Sequence, residues 1–274
     1  MREKQFKKAM LGAGYVSAVI FCLLPFVYML YISFIDAASL FSKQEAAFTL
    51  KNYVNVIKGE NLHFLTYLKN SVVIALISSL VTVIIAGLGA YAVTRMDFKW
   101  KTAVLLGVLG VSFFPQISIA GYIFKMLAAL GLLNTYTGLI FPYTAWALPL
   151  SLWILAGYFL SVPPDLDKAA KVDGAGNFQI MAYVILPVAL PGIVTAFLLS
   201  FIFMFNEFLF ALMFTSDEAA RTVPVAIALF TGLHGQVPWG DIMAAAALTT
   251  APIAALAAVF QKRIISGLTQ GAVK

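Results

Sequence analysis

Six apolar stretches alternate with shorter polar ones along the chain. Residues Ala9 to Phe34, Asn70 to Thr94, Thr102 to about Leu130, Gly138 to Leu160, Ile185 to Thr215 and Ile242 to Phe260 carry almost no charge. Each is near or above the roughly 20 residues that cross a bilayer as a helix. The strict alternation that a membrane barrel needs is absent. The pattern predicts an all-α membrane protein with six transmembrane helices and both ends on one side. Pro25 predicts a kink in the first helix and Pro115 an interruption in the third, while Pro142 and Pro149 lie inside the fourth. The first stretch exceeds the roughly 7–15 apolar residues of a signal peptide, so it reads as a span rather than a cleaved leader.

Composition agrees. Only 11% of the 274 residues are charged and 62% are hydrophobic, against about 25% charged in soluble domains. So few charges do not cover a water-facing surface, and lipid is the expected solvent. The net charge of +6 is explained by residues flanking the spans. Arg2, Lys4, Lys7, Lys8, Arg95, Lys99, Lys101, Lys168, Lys171, Lys262, Arg263 and Lys274 fall on one side, and Lys43, Lys51, Lys58, Lys69 and Arg221 on the other. The richer side is cytoplasmic by the positive-inside rule. This gives a multi-pass protein of the cell membrane, inner or plasma, with both termini in the cytoplasm. The predicted organisation is a basic tail over residues 1–8, a six-helix domain over 9–265 and a cytoplasmic tail over 266–274.

No basic run interleaved with aromatics is present, so nucleic acid is not an expected partner. The single cysteine, Cys22, excludes an internal disulfide, and His63 and His234 lack ligand spacing, so no metal site is expected. No P-loop, HExxH or GxSxG motif occurs. The chain is therefore expected to be no enzyme and to hold no cofactor of its own.

The long polar break in the second half, residues 161–191, contains a short amphipathic helix. Pro163 and Pro164 stop the preceding helix and suit the first turn of a new one. Asp165 and Asp167 lie in that turn, at the positive end of the helix dipole. Leu166, Ala169, Ala170 and Asp173 share one face by their spacing, and Gly174 and Gly176 end the helix. That face is nearly bare of bulk, so another protein can approach it closely.

KAAKVDGA followed by ILP resembles the EAA signature of permease subunits in binding-protein-dependent ABC importers. The match covers Ala169, Ala170, Asp173, Gly174, Ala175, Ile185, Leu186 and Pro187. Lys168 departs from it, standing where the family usually has Glu. FTLKNYVNVI, YLKNSVVIA, AYAVTRMDF, GLLNTYTGLI, FNEFLFAL and GLTQGAV look like the smaller permease subunit of maltose-type transporters. The resemblance implies a type I ABC importer permease fold, with a cytoplasmic coupling helix that contacts the ATPase through Lys168, Ala169, Ala170, Asp173, Gly174, Ala175, Ile185, Leu186 and Pro187. It implies a second permease subunit in a heterodimer, two copies of a cytoplasmic ATPase that bind ATP and Mg, and an extracytoplasmic sugar-binding protein. In maltose-type permeases a similar tail touches the ATPase pair, which makes Gly267, Leu268, Thr269 and Gly271 candidate contacts; a frayed terminus is the competing reading.

Glu207 is the conspicuous charge within a span, in FIFMFNEFLFALMF. An intramembrane carboxylate is read first as a functional site. With Asn206 it suits sugar hydroxyls, and Phe203, Phe205, Phe208 and Phe210 offer stacking faces, which makes Phe203, Asn206, Glu207 and Phe210 substrate-path candidates. Glu207 serving helix packing is the competing reading. Lys125, late in the third span, is expected to snorkel toward the outer interface, with pairing to Glu207 as the alternative. Beside the ATP-driven importer stand an ion-coupled secondary carrier that uses Glu207 as its proton site, and a receptor or scaffold without transport.

Overall fold

The computed structural model describes residues 2–36, 47–59, 63–230 and 237–270. The helices are α1 (Arg2–Ser33), α2 (Lys51–Lys58), α3 (Phe64–Arg95), α4 (Lys101–Val111), α5 (Gln116–Ala129), α6 (Tyr136–Ser161), α7 (Pro164–Val172), α8 (Asn177–Val188), α9 (Leu190–Phe205), α10 (Leu209–Phe214), α11 (Val223–Ala228) and α12 (Trp239–Gln270). Among the described residues the only β-type pairing is an isolated bridge between Ile35 and Phe48.

Among the described residues four helices are long and apolar enough to cross a membrane alone, over Phe6–Ser33, Phe64–Arg95, Tyr136–Ser161 and Trp239–Lys262. The number becomes six if α4 with α5, bent by 91°, and α8 with α9, bent by 79°, each count as one span. The third predicted span is broken at Pro115, as expected, where the backbone is extended with ψ 128°. One predicted span needs correction. The fifth is no single helix from Ile185 to Thr215. It begins upstream at Asn177, passes through a π turn over Met181–Ile185, bends at Ala189 and breaks again at Asn206–Phe208 before α10. Pro191 has no N–H for the carbonyl of Pro187, and its ring clashes with that carbonyl in a continuing helix, so the chain turns between them. The backbone of the basic tail is helical from Arg2 onward.

The chain comprises two compact units. In the unit of Met1–Leu65 and Ile227–Pro252, α2 lies in the polar stretch between the first two apolar ones. Asn52 anchors it: the side-chain amide donates to the carbonyls of Ser33 at 2.9 Å and Ile35 at 2.8 Å, satisfying the end of α1. The Ser33 hydroxyl shares a hydrogen bond of 2.7 Å with the Tyr53 phenol.

In the unit of Thr66–Ala226 and Ile253–Lys274, α6 is the central helix. It is apolar around its whole circumference and is buried on most of it. Its main partner is α9. Gly192 lets α9 approach the Tyr158 ring, and the buried hydroxyls of Ser151 and Ser200 share a hydrogen bond of 2.7 Å across the pair. Small residues and hydroxyls are the usual means of joining helices where lipid supplies no hydrophobic drive. One core gathers Ala90, Leu155, Phe159, Ile180, Ile185 and Ala196, and a second gathers Ile74, Leu127, Tyr143, Phe205 and Phe210.

Candidate functional site

The short helix predicted inside the polar break is α7, starting at Pro164 as the sequence requires. At its end, the N–H of Ala175 donates to the carbonyl of Ala170 at 2.9 Å, and Gly174 has φ +84°. Only glycine takes that conformation without a steric penalty. The N–H of Gly176 donates to the Gln179 side-chain oxygen at 2.8 Å and starts α8.

Of the residues on the predicted face, Leu166, Ala169 and Asp173 are exposed, as are Lys168 and Gly174. Ala170 and Ala175 turn inward against the first core. Ile185 is buried, Leu186 is packed on that core, and Pro187 is exposed. The surface is less bare than the sequence suggests. Val172 is 88% exposed and Phe178, just past the turn, is 73% exposed. Lys168 is held by Asp165 on its own helix at 2.9 Å. That partner keeps the Asp165 carboxyl below its ordinary range and raises the Lys168 ammonium.

Beneath α7 lies a contact that the sequence did not reveal. Arg95, the last residue of α3, donates through Nη2 to the carbonyls of Phe159 at 3.0 Å and Val162 at 2.7 Å, at the C-terminal end of α6. Its Nε lies 3.1 Å from Oδ2 of Asp167 in α7, both side chains nearly buried at 10% and 14% exposure. This N–H does not point along the line to the oxygen, and Oδ1 of Asp167 is buried without a hydrogen-bond partner. The contact is a Coulombic pair rather than a well-directed hydrogen bond. A cation at a helix C-terminus is favourable in addition. The only advance signal was a basic residue ending a span.

Glu207 lies in the break between α9 and α10 and is buried. Its Oε1 accepts the N–H of Phe210 at 2.9 Å and its Oε2 that of Ala211 at 3.2 Å. The carboxylate therefore caps α10, occupying N–H groups that begin a helix without partners. The Tyr143 phenol faces the same carboxylate outside good hydrogen-bond geometry. Lys125 is exposed, and no ion pair joins it to Glu207 among the described residues. Capping of α10 engages both carboxylate oxygens, a local role distinct from the interhelical packing offered as the competing reading.

The other path candidates separate. Phe210 is fully buried against Trp146 and Phe214, with ring centroids 5.9 and 5.4 Å away, so it presents no free stacking face. Asn206 and Phe203 are exposed and line a cavity of about 480 Å³ together with Gln116, Phe208 and one side of Glu207. That cavity lies where both broken helices meet, since Gln116 opens α5 after the Pro115 break. Phe203 also borders an apolar cavity of about 710 Å³ with Trp146, Trp153 and Phe113. Gly267, Leu268 and Thr269 continue the α12 backbone, while Gly271 lies outside the described residues. Among the described residues no group of three or more His, Cys, Asp or Glu is placed to hold a metal ion.

Known proteins share this architecture. The family model described as "Binding-protein-dependent transport system inner membrane component" matches residues 85–270. The trehalose/maltose transport system permease protein MalG of Thermococcus litoralis is 50% identical over 276 residues, covering 100% of this chain and 99% of that protein. The trehalose transport system permease protein SugB of Mycobacterium tuberculosis is 44% identical, covering 82% of each chain. A crystal structure of a bacterial ABC transporter involved in import of the acidic polysaccharide alginate superposes with a TM-score of 0.81, covering 96% of this chain and 98% of that one. At 19% identity that likeness speaks for the fold.

Proposed function

Because the chain belongs to the family of binding-protein-dependent transport system inner membrane components, and is thus a multi-pass permease subunit of an ABC importer, we propose that it carries a carbohydrate. The observation that supports the solute class is its full-length similarity to a trehalose/maltose permease. A disaccharide or short oligosaccharide is the expected cargo. The chain forms half of a translocation path with a second, similar permease. A sugar-binding protein delivers the solute from outside, and two ATPase subunits bind ATP and Mg on the cytoplasmic side.

In this reading α7 is the element that the ATPase grips. Lys168, Ala169, Asp173 and Gly174 form its outer surface with Val172, while Ala170, Ala175, Ile185 and Leu186 seat it on the bundle. When ATP closes the motor, α7 moves, and α8 carries the motion through Pro187 and the bend at Ala189 into α9. Asn206 and Phe203 lie at the far end of α9 and face the solute path. A ligand drives such a cycle only by binding its two states differently. The distribution of basic residues supports cytoplasmic termini, and the end of α12 from Gly267 reaches toward the motor. A proton-coupled carrier with Glu207 as its site draws no support from the geometry, since the carboxylate is engaged by the α10 backbone.

Uptake of radiolabelled trehalose and maltose into vesicles holding the complete complex tests this reading. Import that needs internal ATP and survives an uncoupler is expected. Uptake without ATP that collapses with the uncoupler would overturn it. Gly174→Arg should leave the chain in the membrane and abolish ATPase binding, and normal transport by that variant would contradict the role of α7.

A further inference from the structure

We propose that Arg95 is a positioning residue, the joint through which movement of α7 reaches α3 and α6 as well as α9. The inference rests on α7 being the ATPase contact. The sequence suggests one lever, the proline-bounded path from α7 through α8 into α9. The structure contains a second route that bypasses it.

Arg95 ends α3, its Nη2 donates to two carbonyls at the end of α6, and its Nε pairs with Asp167 in the first half of α7. One guanidinium therefore ties three helices at a point. The planar fork suits this task, because several donors are fixed in direction on one rigid group. Lysine supplies the charge without that geometry.

The joint is also unfinished in a directed way. Its two carbonyl bonds are short and well formed, whereas the Asp167 side has a misdirected N–H and a buried oxygen with no partner. Buried polar atoms are nearly always satisfied. The imperfection falls on the moving partner, α7, and the firm bonds fall on the two spans. A polar cavity of about 260 Å³, bordered by Tyr91, Arg95, Asp97, Asp167 and Lys171, lies beside the pair and leaves Asp167 room to shift. In this conformation the pair is close, at 3.1 Å, but misaligned, and a reorientation of α7 that turns the Asp167 carboxylate onto the guanidinium N–H completes it. The second packed arrangement then extends to the ends of α3 and α6, which move with α7 as a block.

The test uses the complete complex in vesicles with ATP and radiolabelled maltose, reading ATP hydrolysed per sugar imported. Asp167→Asn keeps both carbonyl bonds of Arg95 and removes only the charge. It is expected to retain ATPase binding while ATP consumed per sugar rises at least about fivefold, the lower end of ordinary coupling effects. Arg95→Lys should behave likewise, and Asp167→Glu should restore coupling. A purely structural contact would lower stability and leave the ratio unchanged, which would overturn the proposal. Arg95→Ala combined with Asp167→Asn should be no worse than the more impaired single variant, because both act through one joint; losses that multiply would overturn it too. Gly174→Arg separates the premise. If that variant still binds ATPase and transports, α7 is not the contact. If it fails while Asp167→Asn and Arg95→Lys stay fully coupled, the contact stands and the joint is wrong.

Discussion

Gly192 lies so close to Tyr158 that a methyl group on the glycine would overlap the Cβ, Cγ and Cδ2 atoms of the tyrosine. The backbone of α9 rests directly on an aromatic side chain of α6 there. Gly192→Ala should force the two helices apart, at about 1–3 kcal/mol, the usual cost of overpacking. Thermal unfolding of the purified complex in detergent reads the loss. Gly192→Ala with Tyr158→Ala should be less destabilised than the two single losses added together. Strict additivity would show that the contact does not control the approach.

Glu207 is predicted to matter for stability before chemistry. Glu207→Ala leaves the buried N–H groups of Phe210 and Ala211 without acceptors, each worth about 1–3 kcal/mol when unsatisfied. Glu207→Gln retains one acceptor oxygen and should fall between Ala and the native chain in thermal midpoint. Equal midpoints for all three would mean that the cap carries no weight.

These two contacts mark what the sequence could and could not disclose. Hydrophobic runs located all six apolar segments, and the Pro163–Pro164 and Gly174–Gly176 punctuation located α7. Pro115 signalled an interruption, yet the 91° and 79° bends depend on what each half packs against. The start of α8 was missed because Asn177 and Gln179 are polar and Phe178 is exposed, so no apolar face announced a helix. Glu207 was conspicuous as a charge, but its partners are backbone N–H groups, which carry no residue-type signal. Phe210 looked like a stacking face only because burial is invisible in a run where every neighbour is apolar. Arg95 read as one topological charge among twelve, since Asp167 and the Phe159 and Val162 carbonyls lie far from it in sequence.

Lys168 offers a test of the departure from the EAA pattern. It is exposed and paired with Asp165 on the same helix. Lys168→Glu should leave the thermal midpoint of the permease unchanged and weaken ATPase co-purification if the motor presents an acid there. Unchanged co-purification would mean that the motor ignores this position.

Acid should loosen the loop that follows α10. Asn134 donates to Asp217 at 2.7 Å, and the carboxylate also accepts the N–H of Ala219 at 2.8 Å. These bonds, Asn134 first, hold the Asp217 carboxyl below its ordinary value of 3.8. A lowered carboxylate contributes stability above its unfolded value and loses it as pH falls through the folded one. Hydrogen exchange of residues 216–221, taken relative to the intrinsic rate at each pH, should therefore rise only below about pH 3.8, and Asp217→Ala should remove that pH dependence. A rise that begins near neutrality would assign it to another group.

The side of the membrane on which α7 lies decides whether a motor can reach it. Replacing Cys22, the single cysteine, by serine and introducing Ala169→Cys gives a chain with one reporter thiol on the exposed face of α7. A membrane-impermeant maleimide should leave it unmodified in intact cells and label it after permeabilisation. Labelling in intact cells would place α7 outside, beyond the reach of any ATPase.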